Sequence, residues 1–145
     1  MIKEFLVKNR VTIEKNINDC FDKSQDITKY LTNLIIKNFN KHYVVKKEVR
    51  LKNYKTKLNR GGIVDLRVIF QNDVIDIEID RGNKINSIEK LNYSKKILGN
   101  NVLWIKWGID INEKVLRRIK EYGIDFIFFH TEAHRIGRIK RRRKI

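Results

Sequence analysis

The chain has 145 residues, with 33 Lys and Arg against 17 Asp and Glu, a formal charge of +16, and 41% hydrophobic residues. That length suffices for one domain with a buried core, and the periodic placing of the apolar residues excludes a disordered polycation. The charge calls for a polyanionic partner, nucleic acid first, then an anionic membrane surface or ribosomal RNA.

Cys20 is the only cysteine, which rules out a disulfide within the chain and a Cys-based zinc site. Its place beside Phe21 in a helical-looking stretch predicts a buried thiol. No run approaches the ~18 apolar residues of a membrane span, and "MIKEFLVKNR" lacks the apolar core of a signal peptide. The expectation is an intracellular protein, cytoplasmic or nucleoid-associated, that does not engage a membrane.

Along the chain, Phe5, Ile13, Ile17 and Phe21 suggest a helix of imperfect phase. Ser24 reads as a cap, and Ile27, Tyr30, Leu31, Leu34 and Ile35 then recur at helical spacing to about Phe39. "HYVVKKEVRL" alternates as a half-exposed strand, and "KNYKTKLNRGG" is a basic connection. "GIVDLRVIF" and "DVIDIEID" read as two strands joined by a hairpin turn at Gln71, Asn72 and Asp73. "RGNKIN" is a loop, with Ser87 capping a helix that carries Ile88, Leu91, Lys95 and Leu98 and ends at Gly99. "VLWIKW" is a buried strand, "INEKVLRRIKEYG" an amphipathic helix closed by Gly123, and "IDFIFFH" a last strand. A three-strand meander followed by βαβ crossovers predicts an α/β fold, one mixed sheet flanked by helices on both faces. Residues 1–133 form one domain in this reading, and 134–145 a basic C-terminal tail.

The third strand runs against the overall charge. Asp73–Asp80 holds four carboxylates and no cation. Strand alternation sends Ile75, Ile77 and Ile79 to one face and Asp76, Glu78 and Asp80 to the other, successive acids about 7 Å apart. If the two strands pair, Asp65 lies beside Glu78 or Asp80. Converging carboxylates repel unless a cation or proton intervenes. A hard ion such as Mg²⁺ takes one or two of them and keeps its waters, the arrangement that phosphodiester hydrolysis needs. The same alternation also fits an edge strand with a solvated acidic face that pairs with surplus lysines.

"GIVDLRVIF-QND-VIDIEIDRGNKINSIEKL" resembles the core of the PD-(D/E)xK nuclease superfamily, the restriction-endonuclease-like fold. The likeness in element order spans Ser24 to His130. It implies an α-β-β-β-α-β core with an Asp on the second strand and a Glu/Asp-x-Lys triplet on the third. Asp65 matches the first position, and Glu78-Ile79-Asp80 matches the triplet thirteen residues on. One departure stands out: Asp80 occupies the lysine position. Some members carry an acid there, and others draw the lysine from the following helix, where a Gln-Leu pair is frequent. Here Lys90-Leu91 stands in that helix.

The resemblance therefore implies a metal-dependent DNA endonuclease using Mg²⁺ or Mn²⁺. Asp65, Glu78 and Asp80 would be its ligands, and Lys90 the displaced catalytic lysine, with Lys84 second. Asp76 reads as structural, and Glu48 and Glu14 as accessory acids at most. Duplex or branched DNA would meet Lys46, Lys52, Lys55, Lys57 and Arg60 on one side. Arg138, Lys140, Arg141, Arg142 and Arg143 of the tail would meet it on the other, and a homodimer would supply cuts in both strands. The rival readings are a non-catalytic nucleic-acid-binding module and a ribonucleoprotein component. His130 and His134 lack a third ligand, and Gly61-Gly62 precedes a strand where a phosphate loop would open a helix. Trp104 and Trp107 fall on opposite faces of the fourth strand, with Trp107 expected to be partly exposed.

Overall fold

The computed structural model describes residues 1–54 and 62–132. Lys55, Lys57, Arg60, His134 and the whole basic tail, with Arg138, Lys140, Arg141, Arg142 and Arg143, lie outside the described residues. Three helices open the chain: α1 (Ile2–Lys8), α2 (Arg10–Cys20) and α3 (Ser24–Phe39). The imperfect phase of the first twenty residues has a physical cause, because the helix breaks at Asn9. The Asn9 side chain donates to the Phe5 carbonyl, and Ile13 N–H restarts the ladder on the Asn9 carbonyl. Ile2 and Leu6 of α1 and Ile13 and Ile17 of α2 then turn inward separately.

Then come β1 (Val44–Arg50), β2 (Ile63–Phe70) and β3 (Asp73–Asp80), followed by α4 (Ile85–Lys96), β4 (Asn101–Gly108), α5 (Glu113–Tyr122) and β5 (Asp125–His130). The sheet keeps chain order, β1-β2-β3-β4-β5. Its first two pairings are antiparallel and its last two parallel. This is the mixed, helix-flanked α/β sheet expected from the meander and crossovers. One face packs Leu66, Ile77, Ile105, Trp107 and Phe129 against α1 to α3. The other packs Trp104 and Val102 against Ile88 and Leu91 of α4 and Val115 and Ile119 of α5. Among the described residues no helix is long and apolar enough to cross a membrane.

Four expectations are corrected. Ser24 lies inside α3 and not at its cap, because the first turn closes on the Lys23 carbonyl while the Ser24 hydroxyl accepts from Arg81. Ser87 is buried in the first turn of α4, which begins at Ile85 and closes on the Lys84 carbonyl. Cys20 is exposed, since the inward stripe of α2 is Ile13 and Ile17 and the chain leaves the helix at Phe21 in extended conformation. Trp107 is fully buried, because α3 lies over the strand end, where its indole N–H donates to Thr28.

The end of α5 matches expectation. Asn112 caps its start through Val115 N–H, and Gly123 follows its end at φ 64°. The carbonyls there accept the Lys95 ammonium, and a Cβ on Gly123 would meet that nitrogen at 2.8 Å. Gly123→Ala is expected to lower the unfolding free energy by about 1–2 kcal/mol, read from urea denaturation.

Candidate active site

The acids are placed by the β2–β3 hairpin. Its turn is Gln71-Asn72, with Gln71 at φ 54°, and Phe70 pairs with Asp73. That two-residue turn fixes the register through Leu66 opposite Ile77. One position further, Asp65 comes opposite Glu78, and there the ladder stops. Instead of a strand partner, the Ile79 N–H donates to Asp65 Oδ2 at 2.7 Å. Past this point the two strands frame a cleft of about 820 Å³, with Asp65, Glu78 and Asp80 on one wall. Ser24, Gln25 and Thr28 of α3 and Ser87 and Lys90 of α4 complete it.

Glu78 is the most perturbed of the three. Its side chain is 3% exposed, and Lys90 Nζ lies 2.8 Å from the buried Oε1 in a close ion pair. Burial, followed by the neighbouring Asp65 charge, pushes Glu78 up to about 8, against the opposing pull of Lys90. Burial also raises Asp65, more than the Ile79 amide lowers it. The two carboxyls lie within hydrogen-bonding reach of each other, a juxtaposition that favours a shared proton or a cation over two bare charges.

Asp80 is buried beside them, but its Oδ2 accepts the Trp104 indole N–H at 2.9 Å. Lys84 reaches Asp80 Oδ1 from solvent at 3.8 Å, its side chain 65% exposed. Lys90 sits deeper, also donating to the Ile63 carbonyl at 2.9 Å. Of the two lysines considered for the displaced position, Lys90 is therefore the one that touches the Glu78 carboxylate.

The remaining candidates are placed elsewhere. Asp76 is fully buried and held by Arg67, Ser94 and Asn100. Glu48 is exposed at φ 52°, opposite Asp65 but outside the β1–β2 ladder. Glu14 accepts the His130 N–H at β5, on the far edge of the sheet. Lys46 and Lys52 are exposed and do not line the cleft.

The sequence matches no family model, and no curated protein matches it. Among solved structures, SfsA from Pyrococcus furiosus in complex with Ca²⁺ aligns with a TM-score of 0.50 and 12% identity, over 74% of this chain and 58% of that one. A repair endonuclease from Pyrococcus abyssi aligns at 0.49 and 16% identity, over 77% and 49%. The small subunit of the heterodimeric restriction endonuclease R.BspD6I aligns at 0.44 and 18%, over 88% and 72%. The likeness is one of fold. This chain spans about half the length of the repair endonuclease.

Whether the residues suit a metal is a question of donors. Among the described residues, no three His, Cys, Asp or Glu side chains form a ready-made metal shell. Asp80 is partly committed to Trp104. Asp65 and Glu78, however, present hard oxygens at one spot in the cleft. That pair fits a divalent ion that needs one or two carboxylates and keeps its waters.

Sequence reasoning missed two residues around Asp80. The Trp104 indole N–H holds its carboxylate. Lys106, 1% exposed, donates to the carbonyls of Arg81 and Trp107. Burial lowers its ammonium to about 8, against the pull of Asp110 and Asp80. The signal was available: Lys106 is the one charged residue in an otherwise apolar strand, "VLWIKW".

Proposed function

We propose that this chain is a divalent-metal-dependent DNA endonuclease. The observation that carries the reading is the meeting of Asp65, Glu78 and Lys90, from three separate elements, in one cleft of a protein of charge +16. Asp65 and Glu78 would hold Mg²⁺ or Mn²⁺ as first ligands, with Asp80 adjoining them. The ion supplies Lewis-acid polarisation of the phosphate and a water of lowered pKa.

The protein's own groups do the rest. Ionised Glu78 would face that ion, and the Lys90 ammonium beside it would orient water and offset developing charge. Lys46, Lys52 and the basic residues of 55–60 and the tail would neutralise backbone phosphates, which makes affinity fall steeply with salt. A second copy of the chain would supply the cut in the opposite strand.

One observation favours the rival reading, a binding module without catalysis: Asp80 stands where the triplet lysine is expected and is tied to Trp104. Incubation with supercoiled, branched and single-stranded DNA separates the two, in Mg²⁺, Mn²⁺ or EDTA and beside Glu78→Ala. Cleavage is expected with either ion, none in EDTA, and a loss of about a hundredfold or more in the variant. If no substrate is cut under any condition, or if Glu78→Ala cuts as well as the parent, the endonuclease reading is wrong.

A further inference from the structure

Lys106 poses a physical problem. Its side chain is 1% exposed, and no carboxylate forms an ion pair with it among the described residues. An ammonium taken out of water without a direct counter-ion is expensive, and a methionine would fill the same channel without that penalty. What the ammonium does have is two backbone carbonyls, Arg81 O at 2.5 Å and Trp107 O at 2.9 Å, and the Phe128 ring with its centroid 5.6 Å away.

The position of these carbonyls matters. Parallel pairing of β3 with β4 ends at Asp80 opposite Lys106. Directly after that pair the Arg81 carbonyl accepts the Lys106 ammonium, which ties the end of β3 to β4. Asp80 is then held from two directions, by the Trp104 indole on its carboxylate and by Lys106 on the next peptide. Arg81 is held in turn at both ends, its carbonyl by Lys106 and its guanidinium on the Ser24 hydroxyl across the cleft.

We infer that Lys106 is a positioning residue of the acidic site, pinning the exit of β3 so that Asp80 and Arg81 keep their aim into the cleft. The inference rests on the metal-dependent reading above. It separates stability from function: removing the ammonium relieves a desolvation cost while loosening Asp80, the acid that adjoins the Asp65–Glu78 pair. Supporting side chains of this kind typically govern metal affinity by 10- to 100-fold.

The test is Mn²⁺ binding to the DNA-free protein by calorimetry, with urea unfolding run on the same samples. Lys106→Met is expected to weaken Mn²⁺ binding about tenfold or more while its unfolding midpoint stays near the parent's. Lys106→Gln, which keeps a donor without the charge, is expected to recover part of that loss. Unchanged or tighter binding in Lys106→Met overturns the inference, as does a Gln variant no better than Met. Should Lys106→Met fail to fold, Lys106→Gln is read alone: a loss of threefold or more supports the pinning, and parent-like binding overturns it. A parent that binds no Mn²⁺ refutes the metal-dependent reading itself, a result distinct from parent binding with an indifferent variant.

Discussion

Glu78→Gln is expected to stabilise the metal-free protein by roughly 2–4 kcal/mol at pH 7.5, while DNA cleavage is lost. The origin is the buried carboxyl, whose folded pKa of about 8 stands above its ordinary 4.5. Below pH 4.5 both folded and unfolded states hold the proton, and the ionisation contributes nothing. Between 4.5 and 8 the unfolded chain releases it while the folded protein keeps it. The unfolded state then binds fewer protons, so stability falls as pH rises, and the penalty is complete above pH 8. A glutamine imitates the protonated form and escapes that penalty. Its advantage in urea unfolding with EDTA is expected to be small at pH 5 and to grow toward pH 8. An advantage that does not change with pH, or a variant less stable than the parent at pH 7.5, would show that Glu78 is not the buried acid described here. Added Mg²⁺ should stabilise the parent and not the variant, narrowing the gap.

Much of this site follows from patterns that a strand cannot hide. Period-two alternation in "DVIDIEID" put Glu78 and Asp80 on one face, and a two-residue turn brought Asp65 opposite Glu78. Both features are local, set by a few consecutive residues. The misreadings share the opposite character. Ser24 and Ser87 have the chemistry of caps, but distant contacts use them otherwise: Ser24 meets Arg81 across the cleft, and Ser87 is buried in the first turn of α4. Trp107 looked peripheral because its strand ends nearby, and only the packing of α3 over that end buries it. Lys106 shows the limit most clearly. A lone lysine in an apolar strand signals something unusual, but its partners are carbonyls, and no sequence pattern marks which carbonyls will accept a buried ammonium.

Asp76→Ala is expected to lower the unfolding free energy by about 3–5 kcal/mol, the cost of breaking a buried ion pair from one side. Asp76 shares strand, face and chemistry with Glu78 two residues on, yet its surroundings are inverted. Arg67, directly opposite on β2, grips it bidentately, Nε to Oδ1 at 2.7 Å and a terminal nitrogen to Oδ2 at 3.0 Å. The Ser94 hydroxyl donates to Oδ2 at 2.6 Å and the Asn100 amide at 3.3 Å, so four donors from β2, α4 and the α4–β4 connection converge on one carboxylate. Alanine would strand a partly buried guanidinium and two further donors together. Arg67→Ala should be comparably damaging, because it leaves a carboxylate with no solvent contact lacking its counter-charge. The two losses should not add: in a double-mutant cycle the pair is expected to show a coupling of roughly 1–3 kcal/mol. A cost below about 1 kcal/mol for Asp76→Ala, or simple additivity in the cycle, would remove Asp76 from its structural role. Metal affinity is the complementary reading. Asp76→Ala should leave Mn²⁺ binding by the folded protein within a few-fold of the parent, whereas Glu78→Gln should abolish it, since both Asp76 oxygens are taken by donors while Glu78 lines the cleft beside Asp65.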